Sequence, residues 1–132
     1  GPAFITSSYD AEEKEYYQAL GEFMKAVEED PYFSIAYYNM GAVYFNLRRY
    51  EEAISAFEKV KETSMDWEVC YYLGKAYAIT GELTKSLQNY KDALSLNSTE
   101  PKILFDMGVL YDLLGDKKNA TYCYSRIINS TS

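Results

Sequence analysis

The chain has 132 residues, enough for one domain with a buried core, and its 48% hydrophobic and 25% charged residues are a folded globular composition. A net charge of −7 leaves no basic footprint for nucleic acid or an anionic membrane surface. With no histidine there is no imidazole base, no Ser-His or Cys-His nucleophile pair and no His-containing zinc site, while Cys70 and Cys123 are too few for a four-ligand metal site, so no metal or cofactor is expected.

Gly1-Pro2 opens the chain without Met and reads as a protease-cleavage remnant, so residues 1–10 are expected to be a tail. Asp10 followed by Glu13 suggests an N-cap with a capping-box partner, opening a helix near 11 that runs to about 29 before Asp30-Pro31. Tyr37, Met40, Tyr44 and Leu47 then fall at steps of three and four, predicting a helix over 34–47. Ala53, Ile54, Phe57 and Val60 mark a face of the next, 50–62. Cys70, Leu73 and Tyr77 predict 67–80, and Leu87, Tyr90, Ala93 and Leu94 predict 83–96. Leu104, Met107 and Tyr111 predict 100–114, with Pro101 in the first turn, and the last helix reads 117–129. Gly81 and Gly115 are expected to supply left-handed C′ residues, and Asp116 to cap the helix after it. No segment alternates apolar and polar residues as a half-buried strand does, and none is apolar for long enough to span a membrane. The chain is all-α.

The charge is uneven. Residues 1–66 carry 6 basic and 13 acidic groups, residues 67–132 carry 7 and 7.

Self-similarity then fixes the architecture. The segments 37–44, 70–77 and 104–111 align without gaps, placing Gly41, Gly74 and Gly108 at spacings of 33 and 34. Ala19, Ala53, Ser86 and Ala120 repeat with that period, as do Phe23, Phe57, Tyr90 and Tyr124 four residues further on. A glycine inside a helix costs about 1 kcal/mol relative to alanine, so three in register imply close helix approach. The small residue lets the second helix of a unit meet the first, and the aromatic one turn later is expected to fill the gap to the next unit. These residues are scaffold.

The pattern resembles the tetratricopeptide repeat family, whose units carry a large residue, Leu-Gly, Tyr, then Ala, an aromatic, Ala and Pro. The resemblance covers about residues 11–129. It implies a single domain over 11–132: a partial unit 11–33 with Ala19, Phe23, Ala26 and Pro31, then units 34–66, 67–100 and 101–132. The implied fold is an α-α superhelix of antiparallel helix pairs, a solenoid of about seven helices. Ser86 stands where the family has Ala, Met65 where the second unit would close on Pro, and no Trp holds the first large position.

The resemblance also implies a concave groove lined by first helices. Its positions would be Ile35, Tyr38, Asn39, Ala42, Phe45 and Asn46 in one unit. Tyr71, Tyr72, Lys75 and Ile79 follow in the next, and Lys102, Phe105, Val109 and Asp112 in the last. The aromatic at Tyr38, Tyr71 and Phe105 recurs, which suits anchors for a peptide or helix of a protein partner; packing between units is the alternative for a chain with 15 tyrosines. The acidic first half favours a basic or mixed-charge partner. An acidic tail gripped by cations, as in the family's co-chaperones, is not expected: only Asn39 matches, Phe4 and Ser8 stand at the first Lys and Asn places, and Glu68 and Tyr72 replace the later Lys and Arg.

Three sequons, at Asn97, Asn119 and Asn129, read as chance motifs in Ser/Thr-rich sequence, since Ala120 is a packing position and no signal peptide is expected. The same observations, with no disulfide framework, point to the cytoplasm. Leu110, Tyr122, Ile127 and Ile128 are expected to leave an apolar edge on the last unit, which a homodimer could cover. Catalysis is not expected, because the pairs Glu12/Glu13, Glu28/Glu29 and Glu51/Glu52 are sequence neighbours and diverge on a helix. The functional expectation is a non-catalytic adaptor that binds a protein partner. The alternatives are the targeting or regulatory arm of a larger protein or enzyme, and self-association.

Overall fold

The computed structural model describes residues 2–130, with side chains over 11–129. It consists of α1 (Pro2–Glu29), α2 (Ser34–Asn46), α3 (Tyr50–Thr63), α4 (Trp67–Ile79), α5 (Leu83–Leu96), α6 (Pro101–Leu113) and α7 (Lys117–Ser130). These form two compact units, 1–63 with α1 to α3 and 64–132 with α4 to α7. The fold class is an all-α helical repeat of antiparallel helix pairs.

One expectation fails at the start. The first helix begins at Pro2, not near residue 11, so Asp10 is an interior residue and not an N-cap. Between Pro2 and residue 11 the chain has no further proline and no glycine to stop a helix, and proline is tolerated at a helix start. The side chains of Phe4, Ser8 and Asp10 lie outside those described, as do residues 131 and 132.

Three pairs, α2–α3, α4–α5 and α6–α7, share one lock. A Cβ built on Gly41 would lie 2.6 Å from Phe57 Cε1, one on Gly74 2.5 Å from Tyr90 Cδ1, and one on Gly108 2.5 Å from Tyr124 Cε1. Each ring therefore fills the notch that a missing side chain leaves in its own pair, and not, as expected, the gap to the next unit. The small residues one turn earlier, Ala53, Ser86 and Ala120, are almost wholly buried, which lets the helices approach. Ser86 does more than fill space: its hydroxyl donates to the Gly74 carbonyl at 2.6 Å, satisfying a polar atom that burial would otherwise penalise.

The turns inside the pairs are also copies. In each, the residue two past the C-cap donates its N–H back to the third-last helical carbonyl: Arg49 to Tyr44 at 2.9 Å, Glu82 to Tyr77 at 2.8 Å and Asp116 to Tyr111 at 2.8 Å. That closure needs a left-handed residue between. Gly81 (φ 88°) and Gly115 (φ 80°) provide it as expected, but the first pair uses Arg48 at φ 61°. Asp116 then caps α7, accepting from the Asn119 backbone N–H at 3.1 Å, and the bonds from Asn119 hold its carboxyl below the ordinary value. Asp66 caps α4 in the same manner, accepting from Glu68 N–H at 3.2 Å.

In the first unit, Leu20, Ala36, Val43, Tyr44, Ala53 and Phe57 are buried. Arg49 ties α1 to this core: it pairs with Glu52, donates to the Tyr17 hydroxyl at 3.3 Å, and lies 5.3 Å from the Tyr44 ring centre. The core of the second unit joins Cys70, Tyr71, Tyr90, Ile103, Met107 and Cys123, so both cysteines are small buried hydrophobes, and burial pushes the Cys123 thiol up. Leu110, expected on an exposed edge, is buried here because α6 turns that side toward the core, whereas Tyr122 and Ile128 on α7 are exposed.

Candidate functional site

The recurrent aromatic position packs the same way in each pair. Tyr38 meets Phe57 at 6.0 Å between ring centres, Tyr71 meets Tyr90 at 6.1 Å, and Phe105 meets Tyr124 at 6.1 Å. Each ring thus lies against the ring in its own glycine notch. What differs is cover. Tyr38 is half-buried and Phe105 exposed, whereas Tyr71 is buried among Trp67, Tyr72 and Tyr90.

In the first unit, Asn39 and Ala42 are half-buried on α2 and Ile35 is exposed. Phe45 stands edge-on to Tyr50 at 5.3 Å. Asn46, at the end of α2, borders a hollow of about 620 Å³ with Glu12, Glu13, Tyr16, Leu47 and Arg48.

The second unit brings its candidates closer together. Tyr71 on α4 donates its hydroxyl to Asp106 Oδ2 on α6 at 2.5 Å, and Lys75 Nζ lies 3.6 Å from the same oxygen and 5.5 Å from the Tyr71 ring centre. Burial first, then the bond to Asp106, pushes the Tyr71 phenol far above its ordinary value; burial does the same to Tyr90. Beside this polar knot lies a cleft of about 200 Å³ between α4 and α6, lined by Lys75, Ala78, Ile79, Tyr90, Asp106, Val109, Leu110 and Leu113. Ile79, Val109 and Leu113 remain 53%, 45% and 69% exposed.

Lys75, Ile79 and Val109 therefore surround one place, with Tyr71 joined to it through Asp106, while Lys102, Phe105, Asp112 and the half-buried Tyr72 do not line the cleft. Asp112 is instead the acceptor for the Tyr124 hydroxyl at 3.1 Å. Five lining residues, Ala78, Tyr90, Asp106, Leu110 and Leu113, were not among the expected site positions. Leu113 lies 34 positions after Ile79, so the repeat period already pointed to it. Asp106 shares the register of Asn39 and Tyr72, but its role depends on Lys75 and Tyr71 approaching from another helix. Among the described residues, no group of three or more His, Cys, Asp or Glu side chains could hold a metal ion, and no helix is long and apolar enough to cross a membrane.

Comparison with known proteins agrees with the repeat architecture. A tetratricopeptide repeat model matches residues 34–63 and a TPR repeat model residues 71–115, together more than half of the chain. The chain belongs to the tetratricopeptide repeat family, a class of protein–protein interaction scaffolds. It is 26% identical over 115 residues to anaphase-promoting complex subunit 3 of Schizosaccharomyces pombe, covering 86% of this chain and 17% of that protein. To the probable UDP-N-acetylglucosamine–peptide N-acetylglucosaminyltransferase SPINDLY of Hordeum vulgare it is 28% identical over 117 residues, covering 83% and 12%. The chain thus spans less than a fifth of the length of these curated relatives. Among solved structures, MamA from Desulfovibrio magneticus RS-1 superposes with a TM-score of 0.84 at 25% identity, over 92% of this chain and 69% of that one.

Proposed function

We infer that this chain is a non-catalytic interaction module that takes a segment of a protein partner on the face shared by α4 and α6. The observation that carries the reading is the trio Ile79, Val109 and Leu113, exposed together around one cleft beside the Lys75–Asp106 pair. Apolar side chains left in water beside fixed polar groups gain when a partner covers them. Lys102, Phe105 and Asp112 extend the same helix face, and Tyr38, Asn39, Ala42, Phe45 and Asn46 offer a second aromatic and polar surface on the first unit. The buried Cys70 and Cys123, which form no disulfide, favour a cytoplasmic setting.

Peptides selected from a random display library on the intact chain provide the test. They should bind the double variant Ile79→Glu, Val109→Glu at least tenfold more weakly, with its helicity unchanged by circular dichroism. Equal binding to both would remove the cleft from the reading. A second reading, an arm of a larger protein, is favoured by the small share of each curated relative that this chain spans.

A further inference from the structure

We propose that the α4–α6 cleft selects an uncharged, internal stretch of a partner chain, with the Lys75–Asp106 pair reading a peptide amide next to an aliphatic or aromatic anchor. The proposal rests on the cleft being a binding site and goes on to say what chemistry it accepts.

Asp106 Oδ2 accepts from Tyr71 and faces Lys75 at 3.6 Å, a distance longer than a hydrogen bond. The ammonium therefore has N–H donors to give, and the carboxylate keeps its second oxygen. Both groups line the cleft, and their charges cancel within it. A ligand carboxylate could compensate Lys75 only by coming against Asp106, and a ligand ammonium would meet the reverse difficulty; either leaves one partner of a partly desolvated pair without its counter-ion. An amide has neither problem. Along an extended strand the carbonyl and the N–H of one residue point to the same side, so that carbonyl accepts from Lys75 and that N–H donates to Asp106, both as charge-assisted bonds. Chain termini carry full charges, so the matching segment is internal.

The apolar half of the cleft sets the rest of the specificity. Tyr90 and Leu110 are buried at its base, while Ile79, Val109 and Leu113 stand around it exposed. A side chain seated among them buries apolar surface on both partners. Because its two ends are a neutral dipole and an apolar pocket, the contact should respond little to salt.

The test uses the intact chain with labelled Ile, Leu and Val methyl groups and three probes observed by NMR. These are acetyl-Ala-Leu-Ala-amide, the same peptide with a free C-terminal carboxylate, and the same peptide with a free N-terminal amine. The neutral probe is expected to shift the methyls of Ile79, Val109 and Leu113, to bind roughly tenfold more tightly than either charged form, and to bind equally at low and high salt. Asp106→Asn, which still offers Tyr71 an acceptor, should turn the preference toward the carboxylate probe. Lys75→Met should turn it toward the amine probe. A purely structural role for the pair would lower binding of all three alike. The proposal is overturned if a charged probe binds the parent as tightly as the neutral one, if the preferences fail to invert, or if no probe moves those methyls. Should the ranking fail while display-selected peptides are still lost on Ile79→Glu, Val109→Glu, only the amide selectivity falls. If those peptides are retained, the binding reading itself falls.

Discussion

The pair α2–α3 in the first unit and the pair α4–α5 in the second are held by the same lock, yet their turns and polar atoms are handled by different residues. Both seat a ring opposite a glycine, Phe57 on Gly41 and Tyr90 on Gly74. The first pair makes its left-handed turn with Arg48, the second with Gly81. Ala53 is a plain contact, whereas its counterpart Ser86 also satisfies the Gly74 carbonyl. The difference separates what the repeat must keep, a notch and a ring to fill it, from what each copy may vary, the residue that bears a turn's strain or a buried polar atom.

The comparison can be broken most severely at the ring. Phe57→Ala and Tyr90→Ala should each cost about 3–5 kcal/mol in urea unfolding, equally in the two units, because each empties a buried notch. An effect confined to one unit would mean that the locks are not equivalent. Filling the notch from the other side is the next largest effect. Gly41→Ala, Gly74→Ala and Gly108→Ala should each lose about 1–3 kcal/mol, since the new methyl group meets ring atoms within 2.6 Å. Gly21→Ala in α1, where a Cβ meets nothing within 4 Å, should instead gain about 0.5–1 kcal/mol. The turns then sharpen the contrast between copies: Arg48→Gly should stabilise by about 1 kcal/mol, and Gly81→Ala and Gly115→Ala should destabilise by a similar amount, read as shifts in melting temperature. The smallest effect, invisible at neutral pH, belongs to Tyr71 and Tyr90. Their phenols are raised in the folded chain, so the stability they contribute is full below the ordinary value of 10.0 and is lost as pH climbs toward the folded values. Alkaline unfolding should therefore begin above that value, and Tyr90→Phe should move it upward.

Much of this architecture is legible in the residues alone, for a physical reason. Close helix approach demands glycine and small residues at fixed spacing, left-handed turns favour glycine, and Pro101 fits only an N-terminal turn. Those constraints act on single residues, so they leave single-residue marks. The start of α1 left a false mark: aspartate is favoured at caps, yet inside a long helix Asp10 costs little. Exposure at the candidate site leaves weaker marks still. Tyr38, Tyr71 and Phe105 are one class in sequence, but Tyr71 is buried because Trp67, Tyr72 and Tyr90 gather round it. Asp106 matters only through Lys75 and Tyr71 on another helix, a relation no local spacing encodes. Leu113 was within reach, one period after Ile79.

The proposed site puts partners on the α4–α6 face and not on the exposed apolar side of α7. A benzophenone amino acid placed at Val109, and in a second protein at Ile128, would test this by photo-crosslinking to a display-selected peptide. The expected result is a crosslink from position 109 that excess unlabelled peptide suppresses, and none from position 128. Crosslinking from 128 alone would contradict it and place recognition on α7.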